Sequence, residues 1–133
     1  MKTYNKLVRD KIPAIIEENG SNCEFRVATK SEYMGLLCEK LREEVEELIE
    51  NPSAEEIADV LEVVESIAKL KRIGLDEIKV LKIDKKQKRG GFNDGIVLLE
   101  TSEKIELERD GSHVTIKTGA KKLLKNFKTS GTK

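Results

Sequence analysis

The segment from Arg42 to Asp59 reads R-E-E-V-E-E-L-I-E-N-P-S-A-E-E-I-A-D, and it constrains the fold more than any other part of the chain. Helical patterns on either side meet at Asn51-Pro52-Ser53. Proline cannot continue a helix, because it lacks an amide hydrogen and its ring clashes with the preceding turn. Ser53 has the side chain to cap the helix that follows. A connection this short makes the two helices antiparallel neighbours. Glu44 and Glu47 are three residues apart, and so are Glu56 and Asp59. That spacing places each pair on one helical face, about one turn apart. Both pairs lie within about two turns of the connection, so all four carboxylates can converge.

Acids on helices are mostly solvated, and Ser53 with Glu56 also forms a capping-box pattern that explains Glu56 without chemistry. The helical phase argues for more. At about 100° per residue, Glu44 falls between Leu37, Leu41 and Leu48, inside the apolar arc, and Glu47 sits at its edge. Glu56 shares a face with Val60, Val63 and Ile67, while Asp59 flanks Val63 and Leu70. Glu46 and Glu50 point away, as solvated charges should. Acids on a core-facing stripe are unfavourable unless something compensates them. Lys40, one turn before Glu44, neutralises one acid but not four. A bound hard divalent cation, which takes carboxylate oxygens, is the economical explanation.

Four segments, in order, carry a resemblance. E-E-x-x-E at Glu43, Glu44 and Glu47, followed by E-x-x-D at Glu56 and Asp59, resembles the motif of MazG-type proteins. These belong to the all-α nucleoside triphosphate pyrophosphohydrolases, which include phosphoribosyl-ATP pyrophosphohydrolase. The gap between the two halves is shorter here than in typical members. Y-N-K-L-V-R-D-K-I-P (Tyr4 to Pro13), A-D-V-L-E-V-V (Ala58 to Val64) and K-R-G-G-F (Lys88 to Phe92) resemble a subgroup of phosphoribosyl-ATP pyrophosphohydrolase-like proteins. The resemblance covers residues 1 to about 100. It implies a Mg²⁺-dependent enzyme, with Mn²⁺ as an alternative ion, that cuts a nucleoside triphosphate to the monophosphate and pyrophosphate. Glu44, Glu47, Glu56 and Asp59 would hold the metal, and Glu47 or Glu43 would take the proton of the attacking water. Lys40, Lys88 and Arg89 would meet phosphate. Lys11 reads as a solvated charge, and Arg9 stays open as a further phosphate contact. Phosphoribosyl-ATP itself as substrate, another nucleotide phosphodiester, and a non-catalytic helical interaction module remain alternatives.

The remaining pattern is an antiparallel helical bundle with a small appendage. The chain has 133 residues, enough for one domain with a modest core. Five aromatics and no Trp leave that core mostly aliphatic. Asp10 is a candidate cap for a short helix ending at Asn19-Gly20, and Thr29 with Glu32 forms a capping box before a helix over about 30–50. The helix over about 54–72 is apolar around more than half its circumference, through Ile57, Val60, Leu61, Val63, Val64, Ile67 and Leu70. Such a helix is buried on two sides, which predicts a homodimer or higher homo-oligomer. Gly74 is expected to end it, and a further helix over about 75–88 runs into the basic turn before Gly90-Gly91. Residues 1–100 are expected to form the helical catalytic domain. Residues 101–133 form an extension in which Ile105 and Leu107, then Val114 and Ile116, alternate around Asp110-Gly111 as a β-hairpin, with a short helix over 120–128.

The composition excludes several other classes. Charged residues make up 38% of the chain, but the net charge is zero, which argues against a general nucleic-acid binder. No apolar run approaches a membrane span, and no signal-peptide pattern is visible. Cys23 and Cys38 lack metal-ligand spacing and read as reduced thiols, so a cytoplasmic setting is expected. A single His113 rules out a histidine-rich metal site. The Gly-Gly pair is not a phosphate-binding P-loop, since the following Lys-Ser/Thr is absent.

Overall fold

A computed structural model describes residues 1–103, together with the backbone of residues 105–110 and 113–118. The protein is mainly helical, and it divides into two compact units, Met1–Gly90 and Gly91–Lys133. The first unit holds four helices: α1 (Ile12–Glu18), α2 (Lys30–Glu50), α3 (Ala54–Leu70) and α4 (Leu75–Arg89). The second contains strands β1 (Ile105–Asp110) and β2 (His113–Thr118), which pair antiparallel with Ile105 opposite Thr118 and Asp110 opposite His113. The expected helix over 120–128 lies outside the described residues.

The Asn51–Ser53 connection turns α3 back on α2, and these two form the principal helix pair. Ser53 adopts extended backbone, and its hydroxyl accepts a hydrogen bond from the Glu56 amide at 3.2 Å. One otherwise orphaned donor of the first turn is thereby satisfied. Glu55 and Glu56 in that turn also complement the positive end of the helix dipole. The seam is aliphatic: Leu37 of α2 and Val63 and Ala68 of α3 are buried.

The ends of the other helices depart from the sequence expectation in three places. Asp10 does not cap α1; Lys11 occupies the N-cap position without a side-chain cap bond, and Pro13 in the first turn reduces the number of amides that need one. Thr29 does occupy the N-cap of α2, but its hydroxyl makes no cap bond and lies 3.3 Å from the Ser31 hydroxyl. Glu32 pairs with Arg26 across the turn and also meets the Thr29 side chain and backbone, its own half of the capping box; these contacts, Arg26 foremost, lower its pKa. Gly74 does not end α3. Arg72 takes the left-handed conformation (φ 57°), and the amides of Ile73 and Arg72 bond back to the carbonyls of Ala68 and Lys69. This is a Schellman closure with arginine in the position glycine usually fills. Gly74 then starts α4 with ordinary φ of −71°. Asn19-Gly20 does end α1, with Gly20 at φ 86°, and Gly90 (φ 81°) ends α4.

The wide apolar arc of α3 is covered on one side only. Val60, Val63 and Ile67 are buried or half-buried, whereas Ile57, Leu61 and Val64 are exposed, Leu61 at 53%. The spacing of these three, four and then three residues, makes them one stripe along the helix.

Ser53→Ala should lower stability by roughly 1 kcal/mol, the usual effect of losing an N-cap. Thermal melts would check this; an unchanged melting temperature would mean the cap does not hold the start of α3.

Candidate metal centre

Three of the four expected metal-ligating acids converge. Glu44 of α2 and Glu56 and Asp59 of α3 each bring a carboxylate oxygen within 4.8 Å of the others. The turn that reverses the chain sets this up: Glu44 lies about two turns before the end of α2, and Glu56 lies in the first turn of α3. Glu44 is 7% exposed, the one buried charged residue among those described. Glu47 does not join the tight cluster; it stands one turn further along α2, exposed, on the wall of the same cleft. The Glu44 carboxylate beside it, and more weakly Glu56 and Glu43, push its pKa up.

Cations from two directions frame these acids. Lys40 lies 3.0 Å from Glu44 Oε1 and 3.5 Å from Glu43 Oε1, on the same helix. The irregular N-terminal segment supplies the others. Lys6 Nζ donates to Glu43 Oε1 at 2.9 Å, and Arg9 Nη2 donates to Asp59 Oδ1 at 2.7 Å. These contacts raise the pKa of Lys6 and, with Lys40, hold Glu43 below the usual carboxylate range. Together, residues from the segment, α2 and α3 line a cleft of about 240 Å³.

Two buried carboxylate oxygens remain without a hydrogen-bond partner, Glu44 Oε2 and Glu56 Oε2. The capping bond from the Glu56 amide to Ser53 therefore accounts for that residue's backbone but not its carboxylate. Among the described residues, three cations face five carboxylates (Glu43, Glu44, Glu47, Glu56 and Asp59), a formal surplus of two negative charges. Two unit charges 4.8 Å apart, the upper limit within the cluster, repel by about 3.5 kcal/mol at an effective dielectric near 20. The surplus charge, the orphaned oxygens and the all-oxygen donor set fit a hard divalent cation held by Glu44, Glu56 and Asp59.

The other sequence candidates lie elsewhere. Lys88 pairs with Asp84 on its own helix at 3.1 Å, and neither Lys88 nor Arg89 lines the cleft. Lys11 is exposed. Lys6 is the functional neighbour that sequence inspection missed. It sits in a segment without helical periodicity, so its reach to Glu43, 37 positions along the chain, leaves no local signal.

Glu56→Gln should leave the protein in chelator at least as stable as the original, and more stable by roughly 1 kcal/mol if relief of like-charge repulsion dominates. The amide keeps the shape, and the cap bond from the backbone survives. A fall in the melting temperature in chelator would show that the Glu56 charge is satisfied within the protein. No family model, curated protein or solved structure matches the chain.

Proposed function

We propose that the protein is a Mg²⁺-dependent nucleotide pyrophosphohydrolase that cleaves a nucleoside triphosphate to the monophosphate and pyrophosphate. The observation that carries this reading is the convergence of Glu44, Glu56 and Asp59 with two buried, unpartnered oxygens. The order of the four sequence segments, from Tyr4 to Phe92, supports it independently. Mn²⁺ has the same ligand preference and is an alternative ion.

A bound divalent ion would supply neutralising charge to the phosphates and a lowered pKa for attacking water. The residues of the chain divide the rest of the work. Glu44, Glu56 and Asp59 hold the ion. Glu47, at the exposed edge of the cleft, is better suited than Glu43 to accept the water proton. Its neighbour Glu44 raises its basicity, whereas Glu43 is held by two ammonium groups that lower it. Lys40 is pinned between Glu43 and Glu44 and balances the buried charge. Lys88 and Arg89 remain candidates for phosphate through the basic turn at the end of α4. A cytoplasmic setting, where nucleotides and Mg²⁺ abound, accords with the reading, and no described helix is long and apolar enough to cross a membrane.

The exposed Ile57–Leu61–Val64 stripe supports a homo-oligomer, with α3 covered by a second copy. Sedimentation equilibrium at micromolar concentration should give at least a dimer, and Leu61→Lys should shift it towards monomer. A monomeric original protein would contradict this.

The catalytic reading is tested by pyrophosphate release from a panel of nucleoside triphosphates with and without Mg²⁺. Release should require the metal, and Glu44→Gln with Glu56→Gln should reduce it by at least 100-fold, in keeping with loss of transition-state charge stabilisation of about 3 kcal/mol. An active double variant would remove these acids from the site.

A further inference from the structure

One carboxylate of the metal cluster is shared with a cation of the chain itself. Asp59 belongs to the cluster with Glu44 and Glu56, and its Oδ1 also accepts the 2.7 Å hydrogen bond from Arg9. We infer that Arg9 is an exchangeable ligand of this site: it competes with the divalent ion for Asp59, and when the ion takes Asp59, the guanidinium turns to the phosphate of the substrate. The inference rests on the nucleotide reading above and assigns a role to the N-terminal segment.

The three cations around the acids are not equivalent. Lys6 pairs with Glu43, which is outside the cluster, so an ion held there leaves that contact intact. Lys40 pairs with a cluster member, but its side chain is 17% exposed and is shared with Glu43, so it keeps a partner. Arg9 has its one ion pair, among the described residues, with Asp59, and its side chain is 56% exposed. Ion pairs this open are weak and easily exchanged, and a divalent charge at Asp59 repels the guanidinium directly.

The main chain around Arg9 is anchored, while its side chain is more than half exposed. The Arg9 carbonyl accepts from the Ile12 amide at 3.0 Å, in the turn that leads into α1. The side chain lines the cleft beside Lys40, Glu44 and Glu47, where the phosphates of a metal-bound nucleotide would lie. A guanidinium has five donors in a planar fork that matches phosphate oxygens in pairs, which a lysine ammonium cannot reproduce. The same residue thus serves both charge states of the cleft, countering excess carboxylate before the ion arrives and excess phosphate afterwards.

The test separates the two affinities in the full-length protein, using Mn²⁺ alone and inorganic pyrophosphate as probes. Binding of Mn²⁺, followed by electron paramagnetic resonance, should be about three- to tenfold tighter in Arg9→Ala, because a competing cation has gone, and the gain should shrink at high salt. Pyrophosphate binding to the metal-loaded protein should be at least tenfold weaker in the same variant, as expected for loss of a charged hydrogen bond. Arg9→Lys, which preserves the charge and the tether to α3, should bind Mn²⁺ like the original yet still bind pyrophosphate more weakly. A structural tether alone would move both affinities down in Arg9→Ala and neither in Arg9→Lys. Mn²⁺ affinity in Arg9→Ala equal to or below the original overturns the inference while leaving the metal site standing, as does unchanged pyrophosphate binding. Absence of Mn²⁺ binding in the original protein overturns the metal site and the inference together.

Discussion

Repulsion among carboxylates at the α2–α3 seam governs the N-terminal unit. Glu44 is buried where an aliphatic residue would satisfy the helix pattern better, and Glu56 and Asp59 face it from the neighbouring helix. Burial of one charge is tolerable when a paired cation lies close, and Lys40 meets that need for Glu44. It does not meet it for the other acids. The N-terminal segment, a stretch without regular structure, brings Lys6 to Glu43 and Arg9 to Asp59, and these two open ion pairs offset part of the charge. Even with these, negative charge is in surplus among the described residues, and the proposed divalent ion would offset it.

The same seam explains why the unit buries so little apolar surface. The wall of α3 that carries Glu56 and Asp59 also carries Val60, Val63 and Ile67, and this wall meets α2. The second apolar stripe of α3 is left outward, because α1 and α4 do not cover it. Acid chemistry on one side of a helix and an uncovered aliphatic stripe on an adjacent side are two results of one arrangement. A second subunit on the stripe would rigidify the helix that holds two of the three clustered acids.

Much of this was legible in the sequence where a local rule operates. The turn at Pro52, the cap at Ser53 and the boundaries of α2 and α4 follow from stereochemistry within a few residues. Helical phase alone placed Glu44 and Glu56 inward. The failures are equally physical. Thr29 and Asp10 are cap-type residues, but the Thr29 hydroxyl lies against Ser31, and Pro13 removed part of the need for a cap at α1. Gly74 looked like the residue that ends α3, yet the Schellman bonds to Ala68 and Lys69 fix the left-handed position at Arg72. Glu47 lies one turn from Glu44, and its carboxylate is exposed beside the three clustered acids rather than among them. The pairing of Lys6 with Glu43 and of Arg9 with Asp59 depends on where the chain runs before α1, which periodicity does not encode.

The proposed site requires that folding of this seam be linked to a divalent cation. The most direct measurement is the thermal melt of the original protein in chelator and in millimolar Mg²⁺. An ion that binds only the folded state adds about 2.7 kcal/mol at a concentration 100 times its dissociation constant, which is several degrees for a domain of this size. That rise is expected, with little change when Glu44 and Glu56 are both Gln. A melting temperature indifferent to Mg²⁺, or one that rises equally in both proteins, would contradict it.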